Sequence, residues 1–152
     1  MNQQKYAFKN YIFDFYGTLV DIETDESNPV LWETMAQIYQ SYGAHYTGES
    51  LQVRYKELVK QAEEGIAKEK KVTYPEIDLT VIFVQLYLES HPTGASVHHL
   101  KEWGRLIART FRVLSRKRLE LYPHTKEILE DMKVAGCRIY LLSNAQADFT
   151  NP

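Results

Sequence analysis

The feature that most constrains this chain is the separation of two short apolar stretches by a long region of helical periodicity. YIFDF (11–15) and CRIYLLS (137–143) have the composition of buried strands. Between them, apolar residues recur at spacings of three and four, which is typical of amphipathic helices. The last helical segment leads directly into the second stretch, and a strand–helix–strand unit implies parallel strands. The sequence therefore predicts an α/β core that is interrupted by an inserted helical module.

The insertion contains four predicted helices. The first begins at Pro29, which suits a first helical turn, and it ends near Gly43. The second begins at Ser50, the third covers 75–90 and again starts with a proline, and the fourth covers 95–118. The run VIFV in the third segment resembles a strand, but the segment's length and spacing favour a helix. We interpret the basic cluster SRKR as a solvated end of the fourth helix that complements the helix dipole.

The pattern changes after the insertion. Thr125–Val134 carries apolar residues on one helical face, and Gly136 is a suitable helix stop. The predicted core is therefore made of residues 1–21 and 119–152, and residues 22–118 form one inserted all-helical module.

Composition excludes several classes of protein. The chain is 44% hydrophobic and 25% charged, as in an ordinary soluble globular protein, and its net charge of −2 offers no basic footprint for nucleic acid or for a membrane surface. The amino terminus lacks an apolar signal core, and no run approaches transmembrane length, so we expect a cytoplasmic location. Cys137 is the single cysteine; this excludes an intrachain disulfide and favours a small buried packing residue.

Two short motifs follow the two predicted strands, DFYGTLVD after the first and LLSN after the second. An acid at the end of a buried strand is costly to desolvate, so Asp14 is expected to have a partner or a function. The carboxyl ends of parallel strands open onto the crevice where open α/β sheets bind ligands. In this order, with a helical insertion between them, the motifs resemble those of the haloacid dehalogenase (HAD) superfamily. The resemblance extends over the whole chain and implies a HAD-like Rossmannoid core, of which only two parallel strands are expected here. It also implies that residues 22–118 form an inserted all-helical cap over the crevice of that core.

The resemblance also implies roles for individual residues. Asp14 matches the nucleophile, which forms an aspartyl intermediate and gives one oxygen to Mg²⁺. Tyr16 matches a position whose backbone carbonyl is a metal ligand. Thr18 matches the residue whose hydroxyl steadies the loop. Ser143, followed by Asn144 in the Ser-Asn pair, matches the hydroxyl that holds the transferred phosphoryl oxygens together with nearby backbone N–H groups.

Tyr16 leaves the reaction open. In the family's phosphatases this position is a second aspartate that acts as general acid and base, and a phenol is a poor substitute because it stays protonated at neutral pH. The haloacid dehalogenases carry tyrosine here, because halide leaves without protonation. Those enzymes, however, use a cationic residue soon after the first motif, whereas DIETDESNP (21–29) has four carboxylates and no Lys or Arg lies between the first motif and Arg54. We therefore predict a phosphatase-type hydrolase of a small phosphorylated metabolite, with a 2-haloacid dehalogenase as the alternative.

Other candidate groups favour a structural interpretation. Asp21 is expected in a loop or in the cap rather than in catalysis. The histidines have no carboxylate or cysteine at metal-ligand spacing, so we expect them at the surface or in the core. They are His45, His91, His98, His99 and His124.

The family's later motifs, a lysine and an acidic pair that completes the magnesium site, are not found in this sequence. We therefore expect Mg²⁺ binding to be weak or absent in this chain, and the chain alone to be inactive. Two strands leave sheet edges uncovered, which predicts a homo-oligomer formed through the core strands. A non-catalytic, self-associating helical module is the remaining alternative.

Overall fold

The computed structural model describes residues 6–71, 73, 75–90 and 97–143. The chain divides into two compact units: one runs to Thr24 and resumes at Arg116, and the other spans Asp25–Ser115. The elements in chain order are β1 (Asn10–Phe13), β2 (Val20–Thr24), α1 (Pro29–Ser41), α2 (Gly48–Lys70), α3 (Leu79–Ser90), α4 (Leu100–Ser115), β3 (Arg116–Leu121), α5 (Thr125–Val134) and β4 (Arg138–Leu141).

The first unit contains the parallel pair that the sequence predicts. β1 pairs with β4 in register from Asn10 opposite Arg138 to Phe13 opposite Leu141. Helix α5 has the predicted bounds, and Gly136 follows it with a φ of +77°, a conformation that favours glycine. The mixed α/β class, with two parallel strands in one sheet of the described chain, is thus confirmed.

These strands are less buried than predicted. The side chains of Ile12 and Leu142 are 66% and 70% exposed, and Tyr140 is half exposed. Cys137 is also only partly buried, with its Sγ 3.8 Å from the carbonyl oxygen of Phe8. The physical reason is that, within the residues described, a sheet of two strands packs against the single helix α5 and cannot enclose its own apolar side chains.

A second sheet was not predicted. β2 and β3 form an antiparallel ribbon, from Val20 opposite Leu121 to Thr24 opposite Arg116. The predicted fourth helix therefore ends at Ser115 rather than at 118, and the arginines of the basic cluster lie in β3 instead of at a solvated helix end. Pairing with β2 replaces the last helical turn, because it sets Val20 and Ile22 opposite Leu121 and Leu119, and Glu23 opposite Arg118. Apolar and opposite-charge cross-strand pairs of this kind stabilise an antiparallel ribbon.

Helix α1 begins where the sequence predicts, whereas the starts of α2, α3 and α4 are corrected by the structure. The Asn28 side chain accepts a hydrogen bond from the amide of Val30 at 3.0 Å, so α1 begins at Pro29 as predicted. Helix α2 begins at Gly48, two residues before the predicted start, because Thr47 forms a capping box with Ser50.

Helix α3 confirms that VIFV is helical, but the helix begins at Leu79 rather than at the proline of the predicted segment. The Asp78 carboxylate accepts a hydrogen bond from the amide of Thr80 at 2.8 Å and caps the first turn. Helix α4 begins at Leu100 rather than at 95: residues 97–99 are not helical, and residues 95–96 lie outside the described residues.

The core of the helical unit contains a cluster of aromatic residues. Trp32, Tyr55, Phe83 and Phe111 pack with ring centroids 5.0 to 5.5 Å apart. Helices α3 and α4 approach closely at Gly104, where a Cβ atom would lie 2.5 Å from Cγ2 of Val84. In the part of the chain that the structure describes, no helix has both the length and the apolar character that a bilayer crossing requires.

Candidate active site

The two predicted motif residues follow neighbouring strands. Asp14 comes directly after β1, is exposed, and accepts a hydrogen bond from the amide of Phe15 at 2.7 Å. The amide of Leu142 donates to the carbonyl of Phe13 at 2.8 Å, which extends the pairing by one residue beyond β4. Ser143 is the next residue, so Asp14 and Ser143 leave the sheet at the same, carboxyl edge of adjacent parallel strands. Asn144 lies outside the described residues.

The Asp14 loop, residues 14–19, is a closed turn. The carbonyl of Phe15 accepts hydrogen bonds from the amides of Leu19 and Val20 at 2.9 and 3.0 Å, and the amide of Gly17 donates to the carbonyl of Val20 at 2.8 Å. Gly17 has a φ of +77°, which the tight turn requires and which side chains disfavour. Backbone hydrogen bonds therefore fix the shape of this loop.

The side chains of the Asp14 loop differ in their surroundings. Tyr16 is partly buried, with its ring tilted against Phe15 at a centroid distance of 4.8 Å. Thr18 is exposed, and its hydroxyl makes no hydrogen bond to the residues that are described. The role of that hydroxyl in steadying the loop remains a prediction.

Sequence reasoning missed the connection between the Asp14 loop and helix α5. The carbonyl of Leu19 accepts a hydrogen bond from the amide of Tyr122 at 3.1 Å and another from the hydroxyl of Thr125 at 3.4 Å. Thr125 is buried and is the first residue of α5. A threonine at the start of a helix that leads into the second strand was the available signal.

The acidic stretch after the loop is compensated by arginines that are distant in sequence. Asp21 lies in β2, neither in a loop nor in the helical unit, and pairs with Arg118 of β3 at 3.0 Å. Arg118 is also 3.6 Å from the Glu23 carboxylate, and Glu26 pairs with Arg112 at 3.3 Å. The absence of a nearby cation in sequence therefore does not make this stretch an uncompensated acidic surface.

The predicted magnesium ligands do not form a complete site by themselves. Among the described residues, no three His, Cys, Asp or Glu side chains are grouped so that they could hold a metal ion. The Asp14 carboxylate and the Tyr16 carbonyl are oxygen donors that Mg²⁺ accepts, but they are too few to hold it. Of the five histidines, His91 lies outside the described residues, and His124 stands before α5 with a φ of +65°.

Comparison with known protein families gives a match. A family model described as haloacid dehalogenase-like hydrolase matches residues 8–152, which include both motifs and the helical region between them. Neither the curated proteins nor the solved structures contain a match.

Proposed function

The chain belongs to the haloacid dehalogenase-like hydrolases, and on this basis we propose that it is a phosphatase-type enzyme acting on a small phosphorylated metabolite. Asp14 is the nucleophile. Its carboxylate oxygen attacks phosphorus as the ester P–O bond breaks, the ester oxygen leaves on the alkyl group and takes a proton from solvent water to give the alcohol, and an aspartyl-phosphate remains. Water then hydrolyses this acyl phosphate, which releases phosphate and restores the carboxylate.

The observation that supports this proposal is the register of β1 and β4, which brings Asp14 and Ser143 out at one edge of the sheet. A nucleophile and a hydroxyl donor at adjacent strand ends can meet the same phosphoryl group. In this proposal Ser143 and Asn144 hold its oxygens, and Thr18 steadies the loop.

Magnesium is the typical cofactor of the family, and we include it in the proposal. The carboxylate of Asp14 and the carbonyl of Tyr16 would be two of its ligands, and a bound divalent cation would offset the repulsion between a carboxylate and a phosphoryl group. The donors in the described part of the chain do not complete the site, so we derive no step through the metal.

A second candidate, 2-haloacid dehalogenation, is favoured by Tyr16. In that reaction the Asp14 carboxylate attacks carbon and halide leaves without a proton, so no second acid is needed. The ion pairs of Arg118 with Asp21 and Glu23 also weaken the electrostatic objection, since two of the four carboxylates that would repel a haloacid are partly neutralised.

The proposal includes the setting of the enzyme. We propose a cytoplasmic location and self-association through the exposed apolar side chains of β1 and β4. Cell fractionation tests the location, and sedimentation at high micromolar concentration tests the self-association.

The decisive experiment uses the protein at its natural length with Mg²⁺, offering a phosphomonoester such as p-nitrophenyl phosphate and, separately, 2-chloropropionate. Asp14→Asn is assayed beside the unaltered protein. Phosphate release that is lost in Asp14→Asn supports the phosphatase, and chloride release with the same dependence supports the dehalogenase. Equal rates in the two proteins would overturn both, in favour of a non-catalytic module.

A further inference from the structure

The carbonyl group of Leu19 is the point where the Asp14 loop meets the helix that follows the ribbon. It accepts the amide of Tyr122 at 3.1 Å and the hydroxyl of Thr125 at 3.4 Å. The amide of Leu19 donates back to the carbonyl of Phe15 at 2.9 Å. The same residue therefore closes the turn after Asp14 and binds that turn to the start of α5.

Helix α5 extends this connection to the end of β4, the strand that precedes Ser143. It leads through a short turn into β4, and the residues after β4 include Ser143. β4 in turn pairs with β1, which ends just before Asp14. The path from the Asp14 loop through Thr125, α5 and β4 back to β1 is thus a closed circuit that lies within one compact unit.

Thr125 is the side-chain link in that circuit. Only 7% of its surface is exposed, so its hydroxyl would be costly to leave without an acceptor. Valine has nearly the same shape and no hydroxyl, so it should keep the packing and remove the hydrogen bond to Leu19. Serine keeps the hydroxyl and loses a methyl group.

We propose that Thr125 is a positioning residue, whose hydroxyl holds the Asp14 loop in register with the segment that carries Ser143. The catalytic consequence rests on the proposed function, since it assumes that Asp14 reacts. Small displacements of a reacting group, on the order of 1 Å, can cost about 10²-fold in rate. Loss of one of the two hydrogen bonds to Leu19 should cost less.

The first test does not depend on activity. Amide hydrogen exchange is measured by NMR in the 152-residue chain and in its Thr125→Val, Thr125→Ser and Thr110→Val variants. Thr125→Val should accelerate exchange at Gly17, Leu19 and Val20 by about tenfold relative to Leu142 in the adjacent sheet. Thr110 is a matched control, because its hydroxyl donates to the Leu106 carbonyl at 2.8 Å within α4. Thr125→Ser and Thr110→Val should leave the loop amides unchanged.

The second test is kinetic and uses the protein at its natural length with p-nitrophenyl phosphate. Thr125→Val should lower kcat about tenfold with KM changed by less than about twofold, and Thr125→Ser should recover most of the rate. A merely destabilising substitution would reduce the active fraction without accelerating the loop amides selectively. If exchange at the amides of Gly17, Leu19 and Val20 is the same in Thr125→Val as in the unaltered chain, the proposal is wrong.

The two proposals fail separately. If Asp14→Asn retains full activity, the proposed function is overturned, and the exchange measurement still decides whether Thr125 positions the loop. If Asp14→Asn is inactive while Thr125→Val keeps a normal kcat, the nucleophile stands and the positioning role of Thr125 is overturned.

Discussion

Arg118 holds the carboxylate of Asp21 with two nitrogen atoms, Nε at 3.0 Å from Oδ2 and Nη2 at 3.3 Å from Oδ1. The same guanidinium is 3.6 Å from Glu23 and 3.9 Å from Glu120. One cation thus serves three carboxylates on the charged face of the β2–β3 ribbon. The acidic stretch that follows the first motif is therefore partly neutralised by Arg118, which lies in β3 and follows the whole helical unit in sequence.

Replacing Arg118 by glutamine should have a small, salt-dependent effect on stability. The Arg118 side chain is 47% exposed, and exposed ion pairs contribute at most about 1 kcal/mol. We expect the free energy of unfolding to fall by less than that, and to recover partly at high salt as the repulsion among the remaining carboxylates is screened. Urea denaturation at low and high ionic strength measures both.

Lys126→Gln is the control for this change. It removes an ion pair between Nζ of Lys126 and Glu130 at 3.9 Å within α5, and this pair does not belong to the carboxylate cluster of the ribbon. If Arg118→Gln proves insensitive to salt, the carboxylates around it are not held in mutual repulsion.

Gly104 is the residue at which the helical unit should be least tolerant of a methyl group. A Cβ atom there would lie 2.5 Å from Cγ2 of Val84 and 3.0 Å from the carbonyl oxygen of Thr80, so α3 and α4 would have to separate. Gly104→Ala should therefore lower the free energy of unfolding by about 1–3 kcal/mol, as overpacking does elsewhere. Thermal or urea unfolding followed by circular dichroism checks this.

Gly65 provides the matched control in α2, since nothing lies within 4 Å of a Cβ atom at that position. Gly65→Ala should stabilise the chain by roughly 0.5–1 kcal/mol, because alanine is the better helix former. Equal effects of the two substitutions would contradict the close approach of α3 and α4.

Tyr39 should make the helical unit sensitive to alkaline pH. Burial raises the pKa of the Tyr39 hydroxyl well above its ordinary value, and this hydroxyl donates to the Phe83 carbonyl at 2.7 Å. Above about pH 10 the unfolded chain loses tyrosine protons that the folded protein keeps. The unfolded state then binds fewer protons, so stability is fully present below about pH 10 and falls as pH rises further.

Tyr39→Phe removes this contribution. At neutral pH it should cost about 1 kcal/mol for the lost hydrogen bond, and above pH 10 the decline should be shallower by up to about 1.4 kcal/mol per pH unit. Urea denaturation at pH 7, 10 and 11 measures the two slopes. Parallel slopes for the variant and the unaltered chain would count against the burial of this proton.

Local signals account for what the sequence predicted well. Helix α5 was predicted with its observed bounds, because its apolar face and its glycine stop lie within a few consecutive residues. The parallel pairing of β1 and β4 followed from the intervening helix, and it placed Asp14 and Ser143 at one edge. Of the Ser-Asn pair, only the position of Ser143 could be compared with the structure, because Asn144 lies outside the described residues.

The ribbon could not be predicted in the same way. β2 and β3 are separated by the whole helical unit, and β3 is RKRLEL, whose charges resemble a solvated helix end. Its pairing with β2 depends on cross-strand neighbours that no local window contains. Because this pairing was not predicted, the ion pairs that Arg118 makes with Asp21 and Glu23 were not predicted either.

The exposed strands should make the chain self-associate. Ile12 of β1 and Leu142 beyond β4 are among the most exposed large apolar residues described, and uncovered strands invite pairing with another chain. We expect dimers or larger species in sedimentation at high micromolar concentration, and a shift toward monomer in Ile12→Lys. Val81→Lys, at a similarly exposed position on α3, should leave association unchanged. A clean monomer in the unaltered chain would show that these strands do not associate.

Tyr16→Asp separates the two candidate reactions. In a phosphatase, an aspartate at this position can protonate the departing alcohol and then activate water, and such help contributes about 10²–10⁴-fold. With a phosphomonoester of a poorly acidic alcohol, the phosphatase proposal predicts a marked gain in kcat for Tyr16→Asp at the natural length of the protein, and a smaller gain with p-nitrophenyl phosphate, whose leaving group needs little protonation. A dehalogenase has no proton to supply, so chloride release from 2-chloropropionate should instead fall when a second negative charge is placed beside Asp14.

Tyr16→Phe is the control for the phenol itself, and Tyr16→Asn for an uncharged side chain close in size to aspartate. A gain in phosphate release in Tyr16→Asp but not in Tyr16→Asn would assign the effect to proton transfer, whereas a loss of chloride release confined to Tyr16→Asp would assign the chain to the dehalogenases.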